Sequence, residues 1–164
     1  MRPPRPQLRG RSDAFRVAIV GLGYVGLSTA ACLAAKFHVT GVDLDKDKVR
    51  LIEQGIAPFR EEKLSPLLRK HVSSGMLGCT TSFDVVSDAD FIFIAVGTPS
   101  AKSGEIDLSK VRSAAQSIGQ AIAKSPKFPV VIVKSTVIPG TSKSLIPIIE
   151  QYAGKTSVKD SVYD

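Results

Sequence analysis

Hydrophobic and polar positions alternate along the chain in two kinds of segment. Short runs rich in β-branched residues predict strands, and longer stretches with apolar residues at helical spacing predict helices. The predicted strands cover 16–20, 39–43, 79–81, 91–96 and 130–133, and the predicted helices cover 24–36, 45–54, 65–74, 107–124 and 142–152. This alternation is typical of βα units, and it predicts a doubly wound α/β fold with helices on both faces of a mostly parallel sheet.

Single residues refine these boundaries. Asp107 is placed to N-cap the helix that follows it, and Gly75 ends the helix that begins near Ser65. Pro147 should kink or restart the last helix, because proline removes a helical hydrogen bond.

Composition indicates a globular protein with a basic start. The 164 residues are 43% hydrophobic and 23% charged, which fits one domain over 16–164. Much of the net charge of +7 comes from an Arg- and Pro-rich segment, 1–15, in which we expect a disordered basic arm. A phosphate-binding or partner-docking arm is the alternative.

Several partner classes are not expected. No stretch approaches the roughly 18 apolar residues of a membrane span, and the arm lacks the apolar core of a secretory signal. We therefore expect a cytoplasmic protein that does not associate with a membrane. Nucleic-acid binding by the arm is the weaker alternative, because no aromatic residues are interleaved with its arginines.

Candidate chemistry begins where the first predicted strand ends. Gly21-Leu22-Gly23-Tyr24-Val25-Gly26 is a G-x-G-x-x-G motif between a strand and a helix. The first glycine allows a tight turn, the second lets the backbone approach a pyrophosphate, and the third lets the helix pack closely. Asp43 ends the next strand 20 positions after Gly23, at the spacing of a ribose ligand. A carboxylate there repels the extra phosphate of NADP, so the motif predicts a Rossmann-type domain that binds NAD.

Two later loops follow predicted strands, where this fold places ligand contacts. The first is Gly97-Thr98-Pro99, directly after the strand at 91–96, and the second is 135–141, which begins with Ser135 and Thr136. Their hydroxyls and glycines suit a nicotinamide ribose or a catalytic water, although ordinary turn chemistry also explains them.

Four blocks of sequence resemble the nucleotide-sugar dehydrogenases, which include UDP-glucose, UDP-N-acetylmannosamine and GDP-mannose dehydrogenases. The blocks are GLGYVGLST (21–29), GVDLDKDKV (41–49), AVGTP (95–99) and KSTVIPGT (134–141). The resemblance runs from residue 16 to the end of the chain, and 106–109 and 134–141 look most like the UDP-glucose subgroup. Val162 and Tyr163 resemble the start of a sixth strand that the sequence truncates.

The resemblance implies roles for individual residues. Val25 lies along the pyrophosphate, and Asp43 holds the adenosine ribose with Lys48 beside it. Thr98 contacts the nicotinamide half, and Thr136 touches the cofactor and positions the catalytic water. The expected cofactor-binding set is Gly21, Leu22, Gly23, Tyr24, Val25, Gly26, Asp43, Lys48, Val96, Gly97, Thr98 and Thr136.

Two of these expectations have alternatives in the sequence. Glu61 lies in a stretch, 58–64, that resembles a family segment bordering the substrate, but relatives often have Glu-Pro-Gly there. Lys48 could be a solvated helix lysine instead of a cofactor ligand.

The family reaction oxidises the C6 alcohol of a sugar to a carboxylate by two hydride transfers to two NAD, through a thioester on a cysteine. Neither Cys32 nor Cys79 resembles that nucleophile, and we expect both to be small core residues. The family's nucleophile is expected beyond residue 164. No metal site is expected, and His38 and His71 are expected at the surface or a strand edge.

These observations support two hypotheses of different kinds. In the first, the chain is the NAD-binding domain of a nucleotide-sugar dehydrogenase, without the family's substrate domains and inactive alone. UDP-glucose is the favoured substrate, and the full-length enzyme is expected to be a homodimer. In the second, the chain is a non-catalytic NAD-binding module or one subunit of a split enzyme.

Overall fold

The computed structural model describes residues 15–100 and 104–156. Its strands are β1 (Arg16–Val20), β2 (His38–Val42), β3 (Leu77–Thr80), β4 (Phe91–Ile94) and β5 (Val130–Val133). Its α-helices are α1 (Tyr24–Leu33), α2 (Lys46–Glu53), α3 (Leu64–Ser73), α4 (Ser109–Ala123) and α5 (Thr141–Ala153). A 3-10 helix, Phe83–Asp88, lies between β3 and β4.

The five strands form one sheet in the order β3-β2-β1-β4-β5, and all four neighbouring pairs are parallel. β1 lies at the centre, with Ile19 level with Gly41 of β2 and with Phe93 of β4. The chain winds from β1 to one side through β2 and β3, and then to the other through β4 and β5. This is the predicted doubly wound α/β fold.

Helices cover both faces of the sheet because side chains alternate along each strand. Val17 and Ile19 of β1 join a core that contains residues of α1, α2 and α3. Ala18 and Val20 join a second core that contains residues of the 3-10 helix, α4 and α5. Side chains of β4 also pack on both sides, with Phe91 and Phe93 against the first core and Ile92 and Ile94 in the second, which explains the continuous apolar run there.

Three details of the predicted helices are wrong. α1 ends at Leu33 and not at residue 36, because the amides of Ala35 and Lys36 donate to carbonyls three residues earlier, those of Cys32 and Leu33, at 3.3 and 2.9 Å. The N-cap of α4 is Leu108, and Asp107, one residue earlier, accepts the Ser109 amide at 2.8 Å. The 3-10 helix was not predicted.

The last helix is continuous. α5 runs from Thr141 to Ala153 with Pro147 inside it, so the predicted restart is wrong. Its N-cap is Gly140, in the left-handed region at φ +84°. The expected sixth strand at Val162 and Tyr163, and the expected arm up to residue 14, lie outside the described residues.

The two cysteines lie in different environments. Cys79 is buried in β3, as expected. Cys32 is exposed, so its expected place in the core is wrong. The buried side of α1 is formed by Gly26, Leu27 and the alanine pair 30–31, and Cys32 follows them onto the exposed side.

The two histidines also differ. His38 is exposed at the start of β2, as expected. His71 is buried, which contradicts its expected surface position. It follows Leu64 and Leu68 on the same face of α3, at helical spacing, and that face packs into the core.

Among the helices in the part of the chain that the structure describes, none has both the length and the apolar character needed to cross a membrane.

Candidate functional site

A cleft of about 360 Å³ opens at the carboxyl ends of β1, β2 and β4. Between β1 and β4 the chain changes its winding direction, and open parallel sheets bind ligands at such a point. The cleft is lined by strand ends, the loops after them, the 3-10 helix and one face of α4. The lining residues are Val20, Gly21, Gly23, Val42, Asp43, Leu44, Lys48, Phe83, Ala95, Val96, Gly97, Lys110, Ser113, Ala114 and Ser117.

Gly21 and Gly26 are required by the protein's own packing. Gly21 has φ +95°, and an added Cβ would lie 2.7 Å from the Ala95 carbonyl oxygen. A Cβ at Gly26 would lie 1.8 Å from the Gly21 oxygen. The structure therefore supports a tight turn at Gly21 and close helix packing at Gly26, the reasons predicted for these two residues.

Gly23 has no such packing reason. An added Cβ there would meet nothing within 4 Å, and its φ of −74° is open to any residue. Gly23 is also the N-cap of α1 and makes no side-chain cap. The first-turn amides and positive dipole end of α1 thus adjoin open space, which suits a pyrophosphate.

Asp43 is held in the cleft by three donors. The Leu22 amide donates to Oδ2 at 2.7 Å, the Lys48 ammonium to the same oxygen at 2.8 Å, and the Asp45 amide to Oδ1 at 3.1 Å. The carboxylate is therefore fixed between the glycine turn and α2, at the position predicted for a ribose ligand.

The surroundings of Asp43 keep it ionised. Burial raises the pKa of this carboxyl, but the hydrogen bonds from Lys48, Leu22 and Asp45 and the charge of Lys48 outweigh burial. The pKa of Asp43 is therefore lowered from its ordinary value of 3.8. An ionised carboxylate accepts hydrogen bonds from ribose hydroxyls and repels phosphate.

Lys48 is not a solvated lysine. Its side chain is 25% exposed and that of Asp43 is 12% exposed, so their ion pair is partly withdrawn from water. The backbone of Lys48 is also fixed, because its amide and that of Asp47 both donate to the Asp45 side chain, which caps α2. Lys48 thus lines the cleft with its ammonium paired to Asp43.

The loop after β4 lines the cleft and is hydrogen-bonded to the loop after β5. Val96 and Gly97 line the cleft. The Thr98 hydroxyl donates to the Thr136 carbonyl oxygen at 2.9 Å, and the Ser135 hydroxyl donates to the Val96 carbonyl oxygen at 2.7 Å. The structure therefore brings together the two loops that the sequence singled out.

Several predicted residues are not among those that line the cleft, namely Leu22, Tyr24, Val25, Gly26, Thr98, Thr136 and Glu61. Leu22 is fully buried, and its amide donates to Asp43. Tyr24 and Val25 are exposed at the start of α1, where the Tyr24 ring stacks on Phe59 with ring centroids 4.0 Å apart. Glu61 is exposed in the loop before α3 and does not line the cleft.

Sequence reasoning missed one wall of the cleft. Leu44 and Phe83 line it, as do Lys110, Ser113 and Ser117 of α4. The three α4 residues recur at intervals of three and four, which places them on one face of the helix. The spacing of these polar residues could have predicted that this face of α4 lines the cleft, but the helix was predicted from its apolar face alone.

Metal ligands do not gather in this structure. Within residues 15–100 and 104–156, no group of three or more His, Cys, Asp or Glu side chains could hold a metal ion.

Comparison with protein families gives one match that covers nearly the whole chain. The family model described as "UDP-glucose/GDP-mannose dehydrogenase family, NAD binding domain" matches residues 15–163. This segment contains all the residues of the cleft.

Comparisons with individual proteins agree. The chain is 44% identical over 149 residues to GDP-mannose 6-dehydrogenase of Pseudomonas aeruginosa, covering 89% of this chain and 34% of that protein. The crystal structure of a ternary complex of P. aeruginosa GDP-mannose dehydrogenase matches with a TM-score of 0.84 at 44% identity, over 86% of this chain and 33% of that one. A UDP-glucose dehydrogenase from Pyrobaculum islandicum matches with a TM-score of 0.85 at 33% identity, over 94% of this chain and 36% of that one. The chain spans about a third of the length of the curated relatives it matches.

Proposed function

Since this chain belongs to the UDP-glucose/GDP-mannose dehydrogenase family and corresponds to its NAD-binding domain, we propose that it supplies the cofactor half of an enzyme that oxidises C6 of a nucleotide sugar. The observation that carries the proposal is the cleft at the winding change. It combines open space beside Gly23 with an ionised ribose ligand, Asp43.

In this proposal the residues of the cleft hold NAD by its polar parts. The first-turn amides of α1 bind the pyrophosphate, with Val25 beside it, and Gly23 leaves room for it. Asp43 accepts hydrogen bonds from the adenosine ribose, and Lys48 keeps the carboxylate in place. When bound, NAD accepts a hydride from the sugar carbon.

The joined loops after β4 and β5 are proposed to serve the reacting end. Thr98 contacts the nicotinamide half, and Thr136 contacts the cofactor and positions water. The hydrogen bond between them supports a shared role, because it joins the two loops. Glu61 is proposed to border the substrate, although it lies outside the cleft itself.

The proposed overall reaction converts an alcohol and one water into a carboxylate, reduces two NAD to NADH and releases three protons. We propose that the cysteine nucleophile is supplied by sequence other than the described residues. Burial, with the charges of Glu53 and Asp43, raises the pKa of Cys79 to about 12, so this thiol stays protonated at neutral pH. Cys32 lies on the exposed side of α1.

We propose UDP-glucose as the substrate, on the resemblance of 106–109 and 134–141 to that subgroup. GDP-mannose is the second candidate, because the chain is 44% identical to a GDP-mannose 6-dehydrogenase. The sugar and the base would be read by the two thirds of those relatives that this chain does not match.

Calorimetry on the purified chain tests the cofactor role. We expect saturable NAD binding and no NADH formation with either nucleotide sugar. Absence of saturable binding at millimolar NAD would contradict the cofactor role, and steady turnover would show that the chain contains its own nucleophile.

A fusion tests the catalytic role. The chain would replace the matched third of P. aeruginosa GDP-mannose 6-dehydrogenase, with the parent enzyme as positive control. We expect NADH to form with a yield of two per sugar oxidised. A folded fusion that binds NAD and the sugar but forms no NADH would favour the alternative, a non-catalytic NAD-binding module or split-enzyme subunit.

A further inference from the structure

The peptide group between Val96 and Gly97 lies in the cleft, just beyond the end of β4. Its carbonyl oxygen, that of Val96, accepts the Ser135 hydroxyl at 2.7 Å and so points towards the loop after β5. The carbonyl and the N–H of a trans peptide point in opposite directions, and the residues that the structure describes contain no cis peptide bond. The Gly97 N–H therefore points away from that loop and towards β1.

The end of β4 shows the same alternation of directions. The Ile94 carbonyl accepts the Ser135 amide at 3.0 Å on the side of β5. The Ala95 amide donates to the Val20 carbonyl at 2.8 Å on the side of β1. The Gly97 amide follows that of Ala95 on the same side, but β1 has already ended at Val20. It thus faces the gap between the ends of β1 and β4, where the chain changes its winding direction.

The Gly97 amide has no protein acceptor among residues 15–100 and 104–156. A backbone donor that lines a cleft is satisfied by a ligand or by water. An added Cβ at Gly97 would meet nothing within 4 Å, as at Gly23, so a ligand has room to approach both backbones closely. The direction of the N–H and the space beside it together indicate a ligand oxygen at Gly97.

The Ser135 hydroxyl fixes the orientation of this peptide. Glycine permits many backbone conformations, so the peptide before Gly97 can rotate at low cost. The backbone of Ser135 is held separately, by the hydrogen bond from its amide to the Ile94 carbonyl. Loss of the hydroxyl should therefore redirect the Gly97 N–H while β4 and β5 stay in place.

We propose that Ser135 is a positioning residue for the cofactor: its hydroxyl holds the Val96 carbonyl and thereby directs the Gly97 N–H at an oxygen of the bound NAD. The proposed function puts the pyrophosphate at the first turn of α1 and the nicotinamide half at Thr98, next to Gly97. The oxygen therefore belongs to the nicotinamide-side phosphate or to the nicotinamide ribose. This inference rests on the proposed binding of NAD and does not depend on oxidation of a sugar.

Titration of the isotope-labelled chain with NAD, ADP-ribose, ADP and AMP, followed by NMR, tests this role. We expect Ser135→Ala to weaken the binding of NAD and of ADP-ribose about tenfold, because one hydrogen bond to the cofactor is lost. AMP lacks the nicotinamide-side phosphate and the second ribose, so its affinity should change less than about twofold. ADP distinguishes the two oxygens, since a loss of ADP affinity identifies the phosphate and an unchanged affinity identifies the ribose.

The amide resonance of Gly97 reports on the donor directly. It should move downfield when ADP-ribose binds to the wild-type chain, since an N–H that gains an acceptor is deshielded, and it should move less in Ser135→Ala. Ser135→Thr keeps a hydroxyl on the same carbon, so we expect it to bind NAD within about threefold of the wild type. A serine that only stabilised the fold would not combine this rescue with an unchanged AMP affinity.

Ser144→Ala is the matched control. Its hydroxyl also donates to a backbone carbonyl at 2.7 Å, that of Thr141, and is also partly buried, but Ser144 lies in α5 and does not line the cleft. We expect Ser144→Ala to bind all four ligands as the wild type does.

Three results would overturn the proposal while the proposed function stands, because the wild-type chain binds NAD in each of them. The first is that Ser135→Ala binds ADP-ribose as tightly as the wild type, and the second is that it loses affinity for AMP by the same factor. The third is an equal loss of NAD affinity in Ser144→Ala. If the wild-type chain binds no NAD, the proposed function fails and this inference fails with it. If Ser135→Ala does not fold, Ser135→Cys replaces it, with a smaller expected loss because a thiol is a weaker donor.

Discussion

A methyl group added at Gly26 would lie 1.8 Å from the Gly21 carbonyl oxygen, whereas one added at Gly23 would meet nothing within 4 Å. Two glycines of one motif therefore have different physical reasons to be glycine. At Gly26 the reason is packing of α1 on the turn, and at Gly23 it is the space left for a ligand. Substitutions at the two positions should therefore separate an effect on folding, at Gly26, from an effect on ligand binding, at Gly23.

Substitution by alanine tests this difference. We expect Gly26→Ala to lower the free energy of unfolding by about 1–3 kcal/mol, as overpacking does, and to reduce NAD binding. Gly23→Ala should cost less than about 1 kcal/mol, the N-cap preference, but should weaken NAD binding at least tenfold. Urea unfolding without ligand and calorimetry with NAD measure the two effects. NAD binding by Gly23→Ala at the wild-type level would refute the assignment of that space to the cofactor.

At single residues, sequence reasoning was accurate where a motif constrains the backbone. Gly21 and Asp43 lie in the turn and at the strand end where the motif placed them. The predictions of burial for Cys32 and of exposure for His71 were wrong, because residue type alone is a poor guide to burial in helices. Burial there depends on which face packs, and the face is fixed by neighbouring elements that one sequence does not specify.

Pro147 is an exposed residue inside α5, where it removes one helical hydrogen bond. An alanine would restore the amide that bonds to the Lys143 carbonyl, with little loss of packing. We expect Pro147→Ala to raise the free energy of unfolding by about 1–3 kcal/mol, measured by urea unfolding.

Pro66→Ala is the matched control for this prediction. Pro66 is also exposed, but it lies in the first turn of α3, where amides have no partner within the helix. We expect a change below about 0.5 kcal/mol there. Equal effects of the two substitutions would mean that the missing hydrogen bond of α5 has no measurable cost.

The elements that sequence predicts best are those with strong local signals. β1 and β5 begin and end as predicted, because short β-branched runs there are bounded by residues that end a strand. The 3-10 helix, Phe83–Asp88, was missed because it has only about two turns, fixed by packing of Val86 and by a weak cap at Ser82. α1 was predicted too long, since alanines favour a helix that the chain leaves in order to reach β2.

Across the whole molecule, the cleft is formed by segments far apart in sequence. The parallel sheet makes this predictable in part, since the ends of β1, β2 and β4 must meet at one edge. The contribution of Lys110 and Ser113 could not be placed in the same way. It depends on the rotation of α4 about its axis, which packing against α5 and the sheet determines.

The charge of Asp43 couples the site to the stability of the whole domain. Its pKa is lowered on folding, so the unfolded chain binds more protons and the carboxylate stabilises the fold above its ordinary pKa of 3.8. We expect Asp43→Asn to cost about 1–3 kcal/mol at pH 7, and the cost to shrink as the pH falls from about 5 through the folded pKa. Urea unfolding across this pH range measures the cost of the substitution.

Asp107→Asn is the control, because the pKa of Asp107 is also lowered by its hydrogen bonds with Ser109, but this carboxylate is fully exposed. Solvent screens such a charge, so we expect a weaker pH dependence. A cost of Asp43→Asn that is the same at every pH would mean that packing, and not the charge held by Leu22, Asp45 and Lys48, is what the substitution removes.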